Sequence, residues 1–179
     1  MLVMVLIAAA AIAAVFAVIV ALRPSEFRIA RTAVISAPAA AVFTHVNDFH
    51  RWQSWSPYEK LDPAMKRSYE GAAAGVGAVY RWSGNNQAGE GSAAITESRP
   101  GNLVRIRLEY LRPFAGTNTA ELAFKPVGDR TAVTWSLTGR YDFLVKAVGL
   151  FMNMDKVIGG QFEEGLAQLR SVSEAPPRS

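Results

Sequence analysis

The chain of 179 residues carries two histidines, His45 and His50, and no cysteine. That composition excludes disulfides, thiolate zinc sites and a cysteine nucleophile. Two histidines do not make a histidine cluster for a metal, so no metal and no cofactor is expected. His45 lies three residues after Val42 on a short helical stretch, and His50 sits at an aromatic turn. Both read as surface or packing histidines. Among the carboxylates, Glu97 has the best claim to chemistry because it shares the parity of Ala93 and Ile95 on a strand-like segment. A carboxylate facing an apolar cavity has a raised pKa and can serve as general acid or base. Its place near the strand end, next to Arg99, is also that of a solvated rim residue. Asp155, beside Lys156, reads either as a cap on a pocket or as one half of a structural ion pair. Glu90 and Asn85 read as turn residues.

The stronger signal is aromatic. Tyr69, Tyr80, Trp82, Tyr110 and Trp135 are predicted to face one way, and buried Tyr and Trp seek partners for their polar tips. An apolar pocket walled by such residues is the default binding site. Its expected lining is Tyr69, Tyr80, Trp82, Ile95, Ile106, Leu108, Tyr110, Leu122 and Trp135 from strands. Phe151, Met154 and Ile158 are expected to join from a helix. The second aromatic group, Phe49, Trp52, Trp55 and Tyr58, reads as a small satellite core or a lid.

The elements that must hold these residues follow from periodicity. Phe27–Ser36 alternates as a first strand, and Ser36-Ala37-Pro38 opens a short helix over Ala39–Asp48. Ser56-Pro57 stops the aromatic segment, since the residue before proline is pushed out of the helical region. Four strands are then expected over Met65–Gly71, Ala78–Ser83, Gly89–Arg99 and Leu103–Leu111. In the last, Val104, Ile106, Leu108 and Tyr110 alternate with Arg105, Arg107 and Glu109, the pattern of a half-buried antiparallel strand. Thr117–Lys125 and Thr131–Arg140 form a hairpin about Pro126-Val127-Gly128-Asp129, with Ala120, Leu122, Phe124, Val133, Trp135 and Leu137 inward. Asp142 is an N-cap residue type before an apolar stripe predicted to run as one unbroken helix to Leu169. Glycines 149, 159, 160 and 165 interrupt that helix, each costing about 1 kcal/mol against alanine. So many imply a kink or a close approach, either to the sheet or to a ligand.

Leu2–Leu22 contains no charged or polar side chain. At ~1.5 Å per residue this stretch spans roughly the ~30 Å of a bilayer's hydrocarbon core. A secretory signal would need a basic leader and a shorter apolar run. The expected organisation is therefore a transmembrane anchor over 1–23, a folded domain over 24–171 and a disordered tail over 172–179. Arg23, Arg28 and Arg31 follow the span, which favours a cytoplasmic domain by the positive-inside rule. The formal net charge of +4 is spread singly along the chain, which excludes the basic patch of a nucleic-acid binder.

Together these predict an α+β fold in which a curved antiparallel sheet wraps a long C-terminal helix, with two short helices after the first strand. Five stretches resemble the helix-grip, START-like (SRPBCC) superfamily of polyketide cyclase/dehydrase and lipid-transport proteins. They are Arg31–Phe43 (RTAVISAPAAAVF), Val46–Pro57 (VNDFHRWQSWSP), Gly75–Trp82 (GVGAVYRW), Gly89–Ser92 (GEGS) and Gly149–Gly159 (GLFMNMDKVIG). The resemblance implies a membrane-anchored protein that binds a hydrophobic small molecule or lipid between sheet and C-terminal helix. A cyclase/dehydrase-type enzyme and a regulatory protein-interaction module are the alternatives it leaves open. An inward carboxylate or arginine in a closed cavity would favour the enzyme.

Overall fold

The computed structural model describes residues 1–175. Helix α1 (Leu2–Leu22) comes first, followed by β1 (Glu26–Ile35), α2 (Ala39–Val46) and two 3₁₀ turns, Phe49–Ser54 and Pro57–Lys60. Six strands then run in succession: β2 (Lys66–Gly71), β3 (Ala78–Ser83), β4 (Glu90–Arg99), β5 (Leu103–Arg112), β6 (Gly116–Val127) and β7 (Arg130–Arg140). Two helices close the chain, α3 (Phe143–Val148) and α4 (Met154–Glu174). The seven strands form one antiparallel sheet in the order β1-β7-β6-β5-β4-β3-β2. Sequence neighbours pair throughout, except that β1 returns to lie beside β7, with Glu26 opposite Arg140.

The inward parities expected for β5, β6 and β7 hold. Val104, Ile106, Ala120, Leu122, Phe124, Val133, Trp135 and Leu137 are all buried. Helix α4 packs on the same face against β1, β7, α2 and the second 3₁₀ turn. Its buried residues Gly159, Phe162, Gly165, Leu166 and Leu169 follow the three-four spacing of a helix that buries one stripe. Phe162 stacks on Trp135 with ring centroids 4.4 Å apart and planes within 8°.

The expected single helix from Asp142 to Leu169 is two helices. Asp142 caps α3 by accepting from Val145 N–H at 2.8 Å, but α3 ends at Val148 with Gly149 as its C-cap. Asn153 then caps α4, its side chain accepting from Lys156 N–H at 3.0 Å. An Asn side chain competes with the helical backbone for its own N–H groups, so a start signal inside a continuous apolar pattern breaks the helix there. Two of the other helix glycines, Gly159 and Gly165, serve close approach. A Cβ at Gly165 would lie 2.6 Å from the Trp135 ring and 2.9 Å from Pro57, and one at Gly159 would collide with the Arg31 guanidinium.

Arg31 lies over Gly159 because it reaches from β1 to α4, donating to Asp155 at 2.9 Å and Glu163 at 2.7 Å. Asp155 is thus half of an ion pair, with Arg31 as its partner. Hydrogen bonding to the guanidinium holds the Asp155 carboxyl below its ordinary value of 3.8. The 3₁₀ turns bring Phe49, Trp52 and Trp55 into the main core, so this aromatic group is neither satellite nor lid. Trp52 Nε1 donates to the Val46 carbonyl at 3.0 Å and Trp55 Nε1 to the His45 carbonyl at 2.9 Å, which satisfies both buried indoles. Helix α4 runs to Glu174, past the expected end of the domain at 171. Of the predicted tail, 176–179 lie outside the described residues.

Helix α1 is apolar enough, with a mean hydropathy of 3.1 over its best window, to cross a membrane. Its C-terminal end is fastened to α3. Lys146, buried, donates from Nζ to the carbonyls of Ala21 at 3.1 Å and Arg23 at 3.0 Å. Arg23 answers by donating to the Gly149 carbonyl at 2.8 Å.

Candidate ligand cavity

Between the inner sheet face, the 3₁₀ turns and α4 lies a cavity of about 220 Å³. Leu108, Leu122, Ile106 and Leu137 form its floor, and Trp135, Phe162, Trp82 and Trp52 supply aromatic walls. Seven of the expected lining residues meet here: Tyr80, Trp82, Ile106, Leu108, Tyr110, Leu122 and Trp135. Tyr69 does not line the cavity; it lies behind Tyr80, with ring centroids 5.4 Å apart, and stacks on His50 at 4.1 Å. Ile95 is buried in the core beside the cavity. Ile158 packs against the core from α4.

Phe151 and Met154 fall elsewhere because of the helix break. Phe151, in the α3–α4 link, is 82% exposed. Both residues line a shallow depression beside Arg23 and Asn153 instead. Glu97 is also displaced, by a β-bulge. Ile95 pairs with Ile106 but Glu97 pairs with Arg105, so Thr96 is an extra residue and the alternation resets. Glu97 then joins Arg99 at 2.9 Å and Arg105 on the outer face. Its candidacy as an acid or base in the cavity ends there.

The carboxylate that does line the cavity is Glu59, in the second 3₁₀ turn, and its side chain is 5% exposed. Arg67 Nε donates to Glu59 Oε2 at 2.6 Å, and the Tyr80 hydroxyl donates to Oε1 at 2.6 Å. Burial pushes the Tyr80 phenol up, and its bond to Glu59 adds to the shift. Burial raises Tyr58 as well and pushes Tyr110 up to about 12. All three phenols lining the cavity are therefore neutral hydrogen-bond donors at physiological pH. Ser56 also lines the cavity, and its hydroxyl is buried without a partner among the described residues.

Ser56 and Glu59 carried a sequence signal, since S-x-x-E before a helical turn is a capping-box pattern. The structure does not use it so, for Ser56 makes no side-chain cap. Among the described residues no group of three His, Cys, Asp or Glu side chains is placed to hold a metal.

The cavity opens where its lining residues reach solvent, at Gln87 of the β3–β4 hairpin and at Arg112, the last residue of β5, and Pro113 after it. Asn85 holds that hairpin, accepting from the N–H groups of Gln87 and Ala88 and donating its own N–H to Asp62. Glu90 is not a turn residue but bridges β4 to Arg112 at 2.8 Å.

Solved structures share this architecture at low identity. A solution structure from Thermobifida fusca matches with a TM-score of 0.61 at 21% identity, covering 82% of this chain and 92% of its own. Protein CV1439 from Chromobacterium violaceum matches at 0.59 and 17%, covering 86% and 100%. The Aha1 dimer structure from Colwellia psychrerythraea matches at 0.59 and 12%, covering 85% and 99%. Such likeness establishes the fold. Among curated proteins, none matches this chain. The sequence from residue 26 to residue 174 matches the model of one family, so the chain belongs to the polyketide cyclase / dehydrase and lipid transport family.

Proposed function

We propose that the protein is a membrane-anchored receptor or carrier for a small hydrophobic molecule held between its sheet and α4. The observation that carries this reading is the apolar, aromatic-walled cavity of about 220 Å³. Ligand pockets for drug-sized molecules run to ~300–1,000 Å³. This cavity suits a compact ring system or the end of a chain, and a whole diacyl lipid is too large for it.

The position of the anchor supports a membrane source for the ligand. Strand register puts Glu26, Arg140, Gly116, Arg112 and Ser83 at one end of the sheet. Helix α1 enters at that end, and the cavity opens there. Phe143, Leu144 and Phe151, which follow β7, and Leu111 and Phe114, which surround the β5–β6 turn, are exposed at the same end. A hydrophobic molecule leaving the bilayer would cross little water to reach the cavity.

Native mass spectrometry of the full chain released from micelles, with organic extraction, tests this reading. A stoichiometric low-mass adduct is the expected result. An empty chain that also takes up no added apolar ligand would overturn it. The Glu59–Tyr80 pair in the cavity wall favours a second reading, a cyclase/dehydrase-type enzyme. There Glu59 would accept a proton or orient a substrate hydroxyl. Conversion of the extracted molecule by the intact protein, lost in Glu59→Gln, would distinguish enzyme from carrier.

A further inference from the structure

One polar sector of the cavity wall, formed by Ser56 and Glu59, has residues that are used unusually. In a capping box the Ser side chain would accept from the N3 backbone N–H and the Glu would reach back to the Ser N–H. Ser56 and Glu59 have this spacing on the second 3₁₀ turn, yet Ser56 makes no cap bond and its hydroxyl is buried unpaired. Glu59 is turned inward, to Tyr80 and Arg67. Leaving a buried hydroxyl unpaired is unfavourable, and burying a carboxylate is more so even when it is paired. The fold carries both costs in the wall of its apolar cavity.

Their chemistry specifies what they would recognise. An ionised carboxylate only accepts hydrogen bonds and has about four lone-pair positions. Tyr80 and Arg67 each occupy one, on different oxygens. Acceptor capacity therefore remains on both oxygens of a group that lines the cavity. Opposite lie the ring faces and aliphatic floor described above. Anions meet Glu59 as a like charge, and a plain hydrocarbon offers its remaining acceptor positions no donor.

We propose that the ligand is a compact, neutral ring compound carrying at least one hydroxyl or amine donor, which Glu59 accepts from inside the cavity. This assignment rests on the cavity being the binding site, and it names the class of molecule that site selects. Tyr80 and Arg67 together hold the Glu59 carboxylate in place.

The test uses the full chain in lipid nanodiscs, labelled with 5-fluorotryptophan and followed by ¹⁹F resonance. Trp52, Trp82 and Trp135 line the cavity, while Trp55 lies behind them against Trp52 and Trp135. Three probes share one ring system: 2-naphthol, naphthalene and 2-naphthoate, with free concentrations corrected by empty nanodiscs. The expected result is larger shifts at the three lining tryptophans than at Trp55, with 2-naphthol at least tenfold tighter than naphthalene and 2-naphthoate weakest. A hydrogen bond to a charged group is worth ~1.5–3 kcal/mol, which sets that tenfold floor.

In Glu59→Gln the preference for naphthol over naphthalene should fall below threefold. Tyr80→Phe frees an acceptor position while keeping the ring, so it should preserve or increase the preference. That outcome separates recognition by Glu59 from simple loss of structure. Equal binding of all three probes, or a Tyr80→Phe chain that loses the preference while Glu59→Gln keeps it, overturns the proposal and leaves the cavity reading standing. Binding of no probe at all overturns both.

Discussion

At the scale of single residues, the glycines of α4 show how sequence pattern and packing divide the information. Gly160 has nothing within 4 Å of where a Cβ would be, whereas Gly165 would put one 2.6 Å from Trp135. Both count alike as weak helix formers in the sequence. Replacing Gly160 by Ala should stabilise the folded chain by about 0.5–1 kcal/mol through helix propensity. Replacing Gly165 by Ala should destabilise it by about 1–3 kcal/mol through overpacking, and should shift Trp135 at the cavity wall. Denaturant unfolding of the two variants checks the opposite signs. Tyr80, Trp82, Tyr110 and Trp135 were legible from parity because β3, β5 and β7 keep their alternation over these residues. Glu97 was misplaced because one extra residue, Thr96, resets the alternation, and no residue type there announces the bulge. Glu59 had a signal, the S-x-x-E spacing, but the pattern by itself points to a cap and not to a cavity.

At the scale of elements, the break between α3 and α4 changes what the C-terminal segment does. Periodicity continued through it, so the pattern read as one helix. Gly149 and Asn153 were the stop and start signals within that pattern. With the break, α3 leaves the sheet and becomes the bracket for α1. Lys146 satisfies the carbonyls of Ala21 and Arg23, at the helix end where a cation is also favoured by the backbone dipole. Lys146→Met should free α1 from α3 without unfolding the sheet. Limited proteolysis should then cut between Arg23 and Glu26 at least several-fold faster, while the unfolding midpoint of the domain stays nearly unchanged. Unchanged cleavage would mean that the bracket contributes nothing to how α1 is held.

At the scale of the whole molecule, the fold class, the succession of strands and most inward faces could be read from the sequence. They depend on alternation and on turn chemistry, which are local. The cavity's polar sector could not be read, because Glu59, Arg67 and Tyr80 meet only when the second 3₁₀ turn folds over β2 and β3. The central claim is that the cavity beneath α4 is where a ligand sits. Ala120 is buried in β6 and lines it, so a larger side chain there would fill the space from the floor. The most direct measurement compares the extracted adduct of the native chain with that of Ala120→Phe, purified side by side and both checked for cooperative unfolding. A folded Ala120→Phe chain without the adduct, beside a native chain that retains it, is the predicted result. Equal occupancy in the two would place the ligand elsewhere and contradict the account.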